Sequence, residues 1–191
     1  MSWDKLYNEC INCEKCNLCE ERTNVVFGVG DRASDIMLIG EGPGEQEDLK
    51  GEPFVGRAGK FLDDMLEMIH LNRDMVYIAN MVKCRPPKNR DPLGPEQAAC
   101  FPWLEQQIQL VDPKIIVCLG RIAAKRMIKD DFKITQEHGQ WFEIGGIKYI
   151  ALFHPAALLR DPGRRPDTFV DLKRIQTEIK ENCNTYDSEK E

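Results

Sequence analysis

IMLIGEGPGEQED, residues 36–48, is the most informative segment for the architecture of this chain. Its first part, Ile36–Gly40, is an apolar run typical of a strand that is buried on both faces. The glycines at positions 40, 42 and 44, together with Pro43, predict a tight turn whose backbone N–H groups can face a ligand closely. The turn matches neither the P-loop nor the dinucleotide-binding fingerprint, so an ordinary strand-to-helix turn is the alternative interpretation.

Three later apolar runs predict further strands, at residues 76–80 (VYIAN), 115–120 (IIVCLG) and 149–153 (YIALF). Helical spacing and helix-start signals predict helices at residues 58–69, from Pro95 onward, at residues 121–128 and at residues 168–179. Strands that alternate with helices predict an α/β fold. We expect a single domain, a three-layer α/β/α sandwich with a short four-stranded parallel sheet.

Two further segments complete the predicted organisation. The stretch WFEIGGIKYI, residues 141–150, predicts a hairpin around Gly145 and Gly146 that leads into the last strand. Residues 1–182 are expected to form the domain. Residues 183–191 are acidic and lack apolar periodicity, which predicts a disordered tail.

The carboxyl ends of the predicted strands bring chemically reactive residues to one edge of the sheet. Ligand sites in open parallel sheets lie beyond these ends. The segment GEGPGEQED follows the first strand, Asn80 ends the second and His154 follows the fourth. Asn80 offers a donor and an acceptor side by side for the edge of a base, and Pro155 restricts His154 to extended geometry. A turn cap at Asn80 and a structural role for His154 are the alternatives.

The composition restricts the class of function. The chain has 191 residues and a formal net charge of −6. Its first residues lack a signal-peptide pattern and no apolar run could span a bilayer, so we expect a cytoplasmic protein with no membrane partner. The negative charge matches nucleic acid poorly, but basic residues cluster in KCRPPKNR (residues 83–90) and LLRDPGRR (residues 158–165). A solvated surface is one interpretation of these runs. Phosphate contact is the interpretation that we favour for six of the basic residues, namely Arg85, Lys88, Arg90, Arg160, Arg164 and Arg165.

The cysteines predict a metal centre. Four of them are spaced three residues apart and two more follow later, which gives Cys10, Cys13, Cys16, Cys19, Cys84 and Cys100. Such spacing is typical of iron–sulfur and zinc sites, and a cytoplasmic chain with eight cysteines favours metal binding over disulfides. From spacing alone, the first four cysteines could form a complete ligand set.

Four separate motifs resemble one known family. GEGPGEQED, GEPFVGRAGKFL, IANMVKCRPPKNRDP and HPAALLRDP are similar to the family 4 uracil-DNA glycosylases, the iron–sulfur branch of that superfamily. The similarity extends from about residue 13 to about residue 174. It implies a monofunctional DNA repair enzyme that flips uracil out of DNA and hydrolyses its N-glycosidic bond, leaving an abasic site.

The resemblance also implies a role for individual residues. Glu47 would exclude the methyl group at C5 of thymine, and Phe54 would stack on uracil. Asn80 would read N3–H and O4, while His154 would stabilise the departing base at O2. The turn that surrounds the base would consist of Gly40, Glu41, Gly42 and Gly44.

One departure from the family pattern leaves the hydrolytic water without a clear partner. Gly42 stands where better-known uracil glycosylases carry an aspartate. Glu41, Asn89 or the backbone could activate the water instead. The predicted DNA contacts are Arg85, Lys88, Ala156, Leu158, Leu159 and Arg160, with the apolar loop at residues 156–160 entering the minor groove.

The resemblance selects a different cysteine set from the one that spacing suggests. It implies that Cys13, Cys16, Cys84 and Cys100 bind a [4Fe–4S] cluster, with Cys10 and Cys19 as spare thiols. The partner would be uracil-containing DNA, single- or double-stranded, and the protein a monomer. A non-catalytic iron–sulfur module that binds nucleic acid and an electron-transfer protein are the alternatives.

Overall fold

The computed structural model describes residues 1–184. The predicted acidic tail, residues 183–191, therefore lies outside the described residues from position 185 onward. Its first two residues pack against the domain. The Asn184 backbone N–H donates to the Asp35 carboxylate at 2.7 Å, and Cys183 contacts the hydrophobic core.

Strands and helices alternate along the described chain. The strands are β1 (Val29–Gly30), β2 (Ile36–Gly40), β3 (Tyr77–Asn80), β4 (Ile115–Leu119), β5 (Trp141–Ile144) and β6 (Ile147–Leu152). The α-helices are α1 (Trp3–Ile11), α2 (Glu45–Lys50), α3 (Arg57–Glu67), α4 (Gly94–Val111), α5 (Arg121–Met127), α6 (Ile134–Glu137), α7 (Pro155–Arg160) and α8 (Arg165–Asn182). No helix within residues 1–184 has both the length and the apolarity needed to cross a bilayer.

The strands of residues 1–184 form one six-stranded mixed sheet in the order β1-β3-β2-β4-β6-β5. The four central strands run parallel, as predicted, and Gly40 lies opposite Asn80 where β2 and β3 end. The predicted number of strands, four, was too low, because β1 and β5 add one antiparallel strand at each edge of the sheet. β1 has only two residues, which is too short to show a periodic pattern.

The predicted hairpin accounts for the edge strand β5. β5 pairs antiparallel with β6, and Gly145 and Gly146 between them have φ values of 60° and 84°. Positive φ at both central residues matches the right-handed twist of the two strands, and glycine adopts it without strain.

Alternate residues of the central strands face two separate cores. On one face, α3, α7 and α8 cover residues such as Leu38 and Val117. On the other face, α4 and α5 cover residues such as Ile39 and Cys118. This is the predicted three-layer α/β/α sandwich in one domain, and it directs the carboxyl ends of four strands to one edge.

A third, smaller core joins the N-terminal segment to the sheet. It contains the fully buried Leu6 and Cys10 of α1, a helix that the sequence did not predict, together with Cys84, Cys100 and Trp103. The spaced cysteines therefore pack beside the segment that follows β3.

Candidate active site

A cleft of about 730 Å³ opens at the carboxyl edge of the parallel strands. Its walls come from the segments that follow β2, β3, β4 and β6, as expected for a parallel sheet. The predicted site residues that line it are Glu41, Gly42, Gly44, Glu47, Phe54, Asn80, Asn89, His154, Ala156 and Arg160. Four segments distant in sequence thus meet in one place.

Asn80 lies buried in the wall of this cleft. Its Oδ1 atom has no hydrogen-bond partner among residues 1–184. A buried polar atom without a partner costs roughly 1–3 kcal/mol, so the oxygen is placed for a ligand rather than for capping a turn. Gly40 makes room for it, because a Cβ atom there would lie 2.4 Å from Asn80 Oδ1 and 2.6 Å from Phe54 Cζ.

The Glu47 carboxylate accepts hydrogen bonds from the backbone of two loops of the cleft. Its Oε1 atom accepts the backbone N–H groups of Val55 and Gly56, each at 2.9 Å. Its Oε2 atom accepts the N–H of Gly44 at 3.1 Å at the start of α2. Glu47 therefore positions both the glycine-rich turn and the loop that carries Phe54.

Phe54 forms a rigid aromatic wall. Its φ of 54° is rare for a bulky residue, and the Arg73 guanidinium holds this conformation. Arg73 donates to the carbonyls of Pro53 at 3.0 Å, of Phe54, and of Gly59 at 3.3 Å. The Phe54 ring is buried and stacks near His154, with ring centroids 5.7 Å apart. Arg73 had no sequence signal, since an isolated arginine after a helix resembles any surface cation.

His154 is held as a neutral hydrogen-bond donor. Its Nδ1 atom accepts the backbone N–H of Ala156 at 3.1 Å, at the start of α7. Burial lowers the pKa of His154 to about 4, and the Arg160 guanidinium lowers it as well, so the ring is neutral near pH 7. Since Nδ1 accepts, the single ring proton lies on Nε2. The Nε2–H group is therefore the one available to a ligand.

Glu41 lies close to a second carboxylate, that of Asp91. Burial raises the pKa of Glu41 to about 7, and the neighbouring Asp91 carboxylate raises it further, while Arg121 and Arg160 oppose the shift. Asp91 also forms an ion pair with Arg121. Neither Asp91 nor Arg121 was predicted, because their proximity to Glu41 arises only when the loops after three different strands meet.

Asn89 lies at the rim of the same cleft. Its Oδ1 atom accepts a hydrogen bond from Arg85 Nε at 2.7 Å. The amide oxygen is therefore already occupied by a guanidinium group. Of the two side chains predicted to activate water, Glu41 is the one that carries a proton-accepting group at the cleft.

A second, smaller cavity is lined by six cysteines, namely Cys10, Cys13, Cys16, Cys19, Cys84 and Cys100. Three of their sulfurs accept N–H groups. Cys13 Sγ lies 3.2 Å from Trp103 Nε1, Cys100 Sγ lies 3.2 Å from the backbone nitrogen of Lys83, and Cys84 Sγ lies 3.3 Å from Arg22 Nη1. These sulfurs belong to three of the four predicted cluster ligands.

The donor set at this cavity suits an iron–sulfur cluster. Within residues 1–184, no group of three or more His, Cys, Asp or Glu side chains could hold a metal ion. A cluster of several irons, however, spaces its thiolates more widely than one ion does. Hydrogen bonds to the sulfurs and nearby cations stabilise such a group, and Lys15 and Arg22 supply cations here. The predicted spare thiols, Cys10 and Cys19, line the same cavity.

Comparison with known sequences identifies the family. The profile of the uracil DNA glycosylase superfamily matches residues 27–175, which includes every wall of the cleft. The chain belongs to this superfamily.

Individual relatives narrow the assignment. A type-4 uracil-DNA glycosylase of Archaeoglobus fulgidus is 43% identical over 182 residues, covering 91% of this chain and 92% of that protein. A type-4 enzyme of Sulfurisphaera tokodaii is 45% identical over 184 residues, covering 92% and 84%. A type-5 uracil-DNA glycosylase of Pyrobaculum aerophilum is 29% identical over 195 residues, covering 85% and 86%. The family 4 resemblance read from the motifs is confirmed.

One predicted DNA contact of this family 4 chain is wrong. The segment after His154 is the helix α7 rather than a loop, and Leu158 is 1% exposed within the main core. Helical geometry turns Leu158 toward the sheet, so it cannot enter a groove. Leu159 is half-buried and Arg160 is exposed. Their DNA contacts stay predictions.

The two basic runs are only partly available to phosphate. Lys83 is buried, and Arg90 forms a bidentate pair with Glu96 at 2.9 and 2.7 Å. Arg165 lies over the Phe61 ring at 4.9 Å. The interpretation as a phosphate-binding surface is therefore weakened for Arg90 and Arg165. Among the predicted contacts in KCRPPKNR, Arg85 is partly exposed and Lys88 is exposed.

Proposed function

We propose that this chain flips uracil out of DNA and hydrolyses its N-glycosidic bond, leaving an abasic site that starts base-excision repair. The observation that carries the proposal is the unpaired Oδ1 atom of Asn80, in the same cleft as Phe54 and His154. The type-4 names of relatives that align with nine-tenths of the chain support it. The protein acts as a monomer on single- or double-stranded DNA.

Asn80 and Phe54 would recognise the flipped base. The Asn80 carbonyl accepts N3–H of uracil and its amide donates to O4, a pairing that cytosine does not offer. The Phe54 ring replaces part of the stacking lost on flipping, which contributes roughly 1–3 kcal/mol per base. Glu47, held by three N–H groups at the cleft, would stand against the methyl group of thymine.

His154 would stabilise the leaving group. Bond cleavage leaves an anionic uracil, whose charge falls partly on O2. The neutral imidazole donates from Nε2, and the Ala156 N–H bound to Nδ1 keeps the ring in that orientation. A fixed donor acts where the negative charge develops, and such electrostatic stabilisation is usually the largest single contribution to catalysis in reactions of this kind.

Glu41 would accept the proton of the attacking water. Its pKa, raised to about 7, lies close to neutral pH, where a general base is most effective. Asp91 keeps the pKa high, and Arg121 binds Asp91 at the same time. No covalent nucleophile is needed, which agrees with a monofunctional glycosylase.

Cys13, Cys16, Cys84 and Cys100 would hold a [4Fe–4S] cluster. When bound, it supplies covalent cross-links between the N-terminal segment, the loop after β3 and α4. Trp103, Arg22 and the Lys83 backbone donate to three of the four sulfurs. This arrangement would hold the exposed Lys88 loop beside the cleft, where phosphate passes.

The direct test uses two duplexes that differ only in uracil or thymine at one position. After incubation, alkali cleaves the strand wherever a base has been removed. We expect cleavage of the uracil strand alone. A non-catalytic iron–sulfur module would bind both duplexes and cleave neither, and that result would overturn the proposal.

A further inference from the structure

Lys83 is a buried lysine at the start of the basic run KCRPPKNR, in which Lys88 is exposed. Its side chain is wholly enclosed at 1% exposure. The Nζ atom donates to Gln107 Oε1 at 2.5 Å and to the backbone carbonyl of Asn80 at 3.1 Å. Within residues 1–184 no carboxylate forms an ion pair with it. Burying an ammonium group costs free energy, so a lysine at this position is expected to have a role that offsets the cost.

The hydrogen bonds that begin at the Lys83 ammonium continue through the side chain of Gln107. Gln107 is fully buried, and its Nε2 atom donates to the Phe27 carbonyl at 2.9 Å and to the Tyr77 hydroxyl at 3.0 Å. Gln107 lies on α4, the helix that also carries Cys100. The Lys83 ammonium is therefore fixed by a rigid helix rather than by a flexible loop.

Residue 83 contacts both functional regions through different groups. Its side chain holds the carbonyl of Asn80 at the cleft, whereas its backbone N–H donates to Cys100 Sγ at 3.2 Å. Pairing of β3 with β1 ends at Ile78, two residues before Asn80. The lysine thus fixes the backbone of Asn80 beyond the last β1 pair.

We propose that Lys83 is a positioning residue for base recognition, which holds the main chain of Asn80 and so directs the Asn80 amide into the cleft. The inference rests on the proposed function, in which Asn80 pairs with the flipped base. A shift of the strand end by a fraction of an ångström would misalign both hydrogen bonds to the base, because hydrogen bonds weaken steeply with angle.

The test separates base recognition from general binding. The probe is a duplex with one uracil nucleotide that carries a 2′-fluorine, which slows cleavage by destabilising the cation-like sugar. Its affinity is divided by that of the same duplex with thymine. We expect Lys83→Met to lower this ratio about tenfold, the size of one hydrogen bond to a charged group. Tyr77→Phe is the matched control at the far end of the network and should keep the ratio.

Iron content is the second measurement. Every variant retains the backbone N–H that donates to Cys100, so Lys83→Met should bind as much iron as the unsubstituted protein. Lys83→Met/Gln107→Met is measured beside it, because removing both partners leaves no Gln107 oxygen buried without its donor. The double variant should show the same tenfold loss.

Each outcome has a distinct meaning. If the unsubstituted protein does not prefer the uracil duplex, the proposed function is wrong and this inference fails with it. If the preference exists and both lysine variants keep it, only the role of Lys83 is wrong. If they lose iron, or lose affinity for both duplexes equally, Lys83 is structural and the inference is likewise overturned.

Discussion

The cleft and the cysteine cavity are connected by residues 80–84, with Asn80 at the cleft and Cys84 at the cavity. The two regions differ in whether their polar atoms already have hydrogen-bond partners. The cleft is large, and Asn80 Oδ1 in its wall has no partner. The cysteine cavity is small, and the sulfurs of Cys13, Cys84 and Cys100 each accept an N–H group. One region keeps hydrogen-bonding capacity free, whereas the other has used it.

This difference indicates two kinds of ligand. A free acceptor suits a base that enters and leaves, and satisfied sulfurs suit a group that stays bound. Substitutions in the cleft should therefore change excision and leave folding intact. Substitutions in the cavity should first change metal content and stability.

The largest effect is expected from His154→Ala. Loss of the Nε2–H donor should slow single-turnover excision roughly 10²- to 10³-fold, as for other groups that stabilise a developing anion. The affinity for uracil-free duplex should stay unchanged, and the melting temperature should fall by only a few degrees, because the Ala156 N–H at the start of α7 loses its acceptor. His70→Asn is the control, because His70 is exposed with φ of 60°, which asparagine tolerates. A similar slowing of excision in His70→Asn would show that the effect of His154→Ala is not specific to the cleft.

Cys84→Ser tests the other region. We expect loss of iron and of visible absorbance, and a fall in melting temperature of roughly 10 °C, since each kcal/mol is worth about 2–4 °C in a chain of this size. Cys118→Ala is the control, because Cys118 lies on β4 with its side chain in the core, and this variant should keep its iron. Full iron content and an unchanged melting temperature in Cys84→Ser would contradict the assignment of a permanent ligand.

A smaller effect concerns pH. The pKa of Glu41 is raised to about 7, so its carboxylate form disappears as pH falls below that value. Single-turnover excision should rise with pH, with a midpoint near 7. Asp91→Asn removes the neighbouring carboxylate, lowers the pKa of Glu41 and should move the midpoint to lower pH. Glu45→Gln, an exposed carboxylate of α2, should leave it unchanged. An unmoved midpoint in Asp91→Asn would exclude Glu41 as the base.

Much of the cleft could be predicted from the sequence, because the apolar runs show where the strands end and the cleft is built at those ends. Apolar runs marked β2, β3, β4 and β6, and the residues that follow parallel strands must meet at one edge. Asn80 and His154 were found in this way. Neither required any knowledge of how helices pack.

The errors arose where burial depends on packing. Leu158 was predicted on a loop, because Pro155 can begin either a turn or a helix and six residues are too few to show helical spacing. Lys83 was counted in a basic cluster with no sign that it is buried, since charge in sequence does not reveal the space between β3 and α4. The Asp91 and Arg121 pair depends on loops after different strands and has no local pattern.

The cysteine set shows the same limit of spacing. Cys10 to Cys19 could form a complete set by themselves, and only the fold brings Cys84 and Cys100 into the same cavity. The N–H donors to Cys13, Cys84 and Cys100 come from residues 17 to 90 positions away, which no local motif could reveal.

Asn80→Ala tests the central claim most directly. The measurement compares the single-turnover rate of uracil excision with the affinity for an undamaged duplex. We expect the rate to fall roughly 10- to 100-fold, the value of one bidentate base contact, while affinity for undamaged duplex is kept because phosphate contacts supply it. Equal losses in rate and affinity, with a lowered melting temperature, would show that Asn80 is a structural residue and that the open cleft does not read the base.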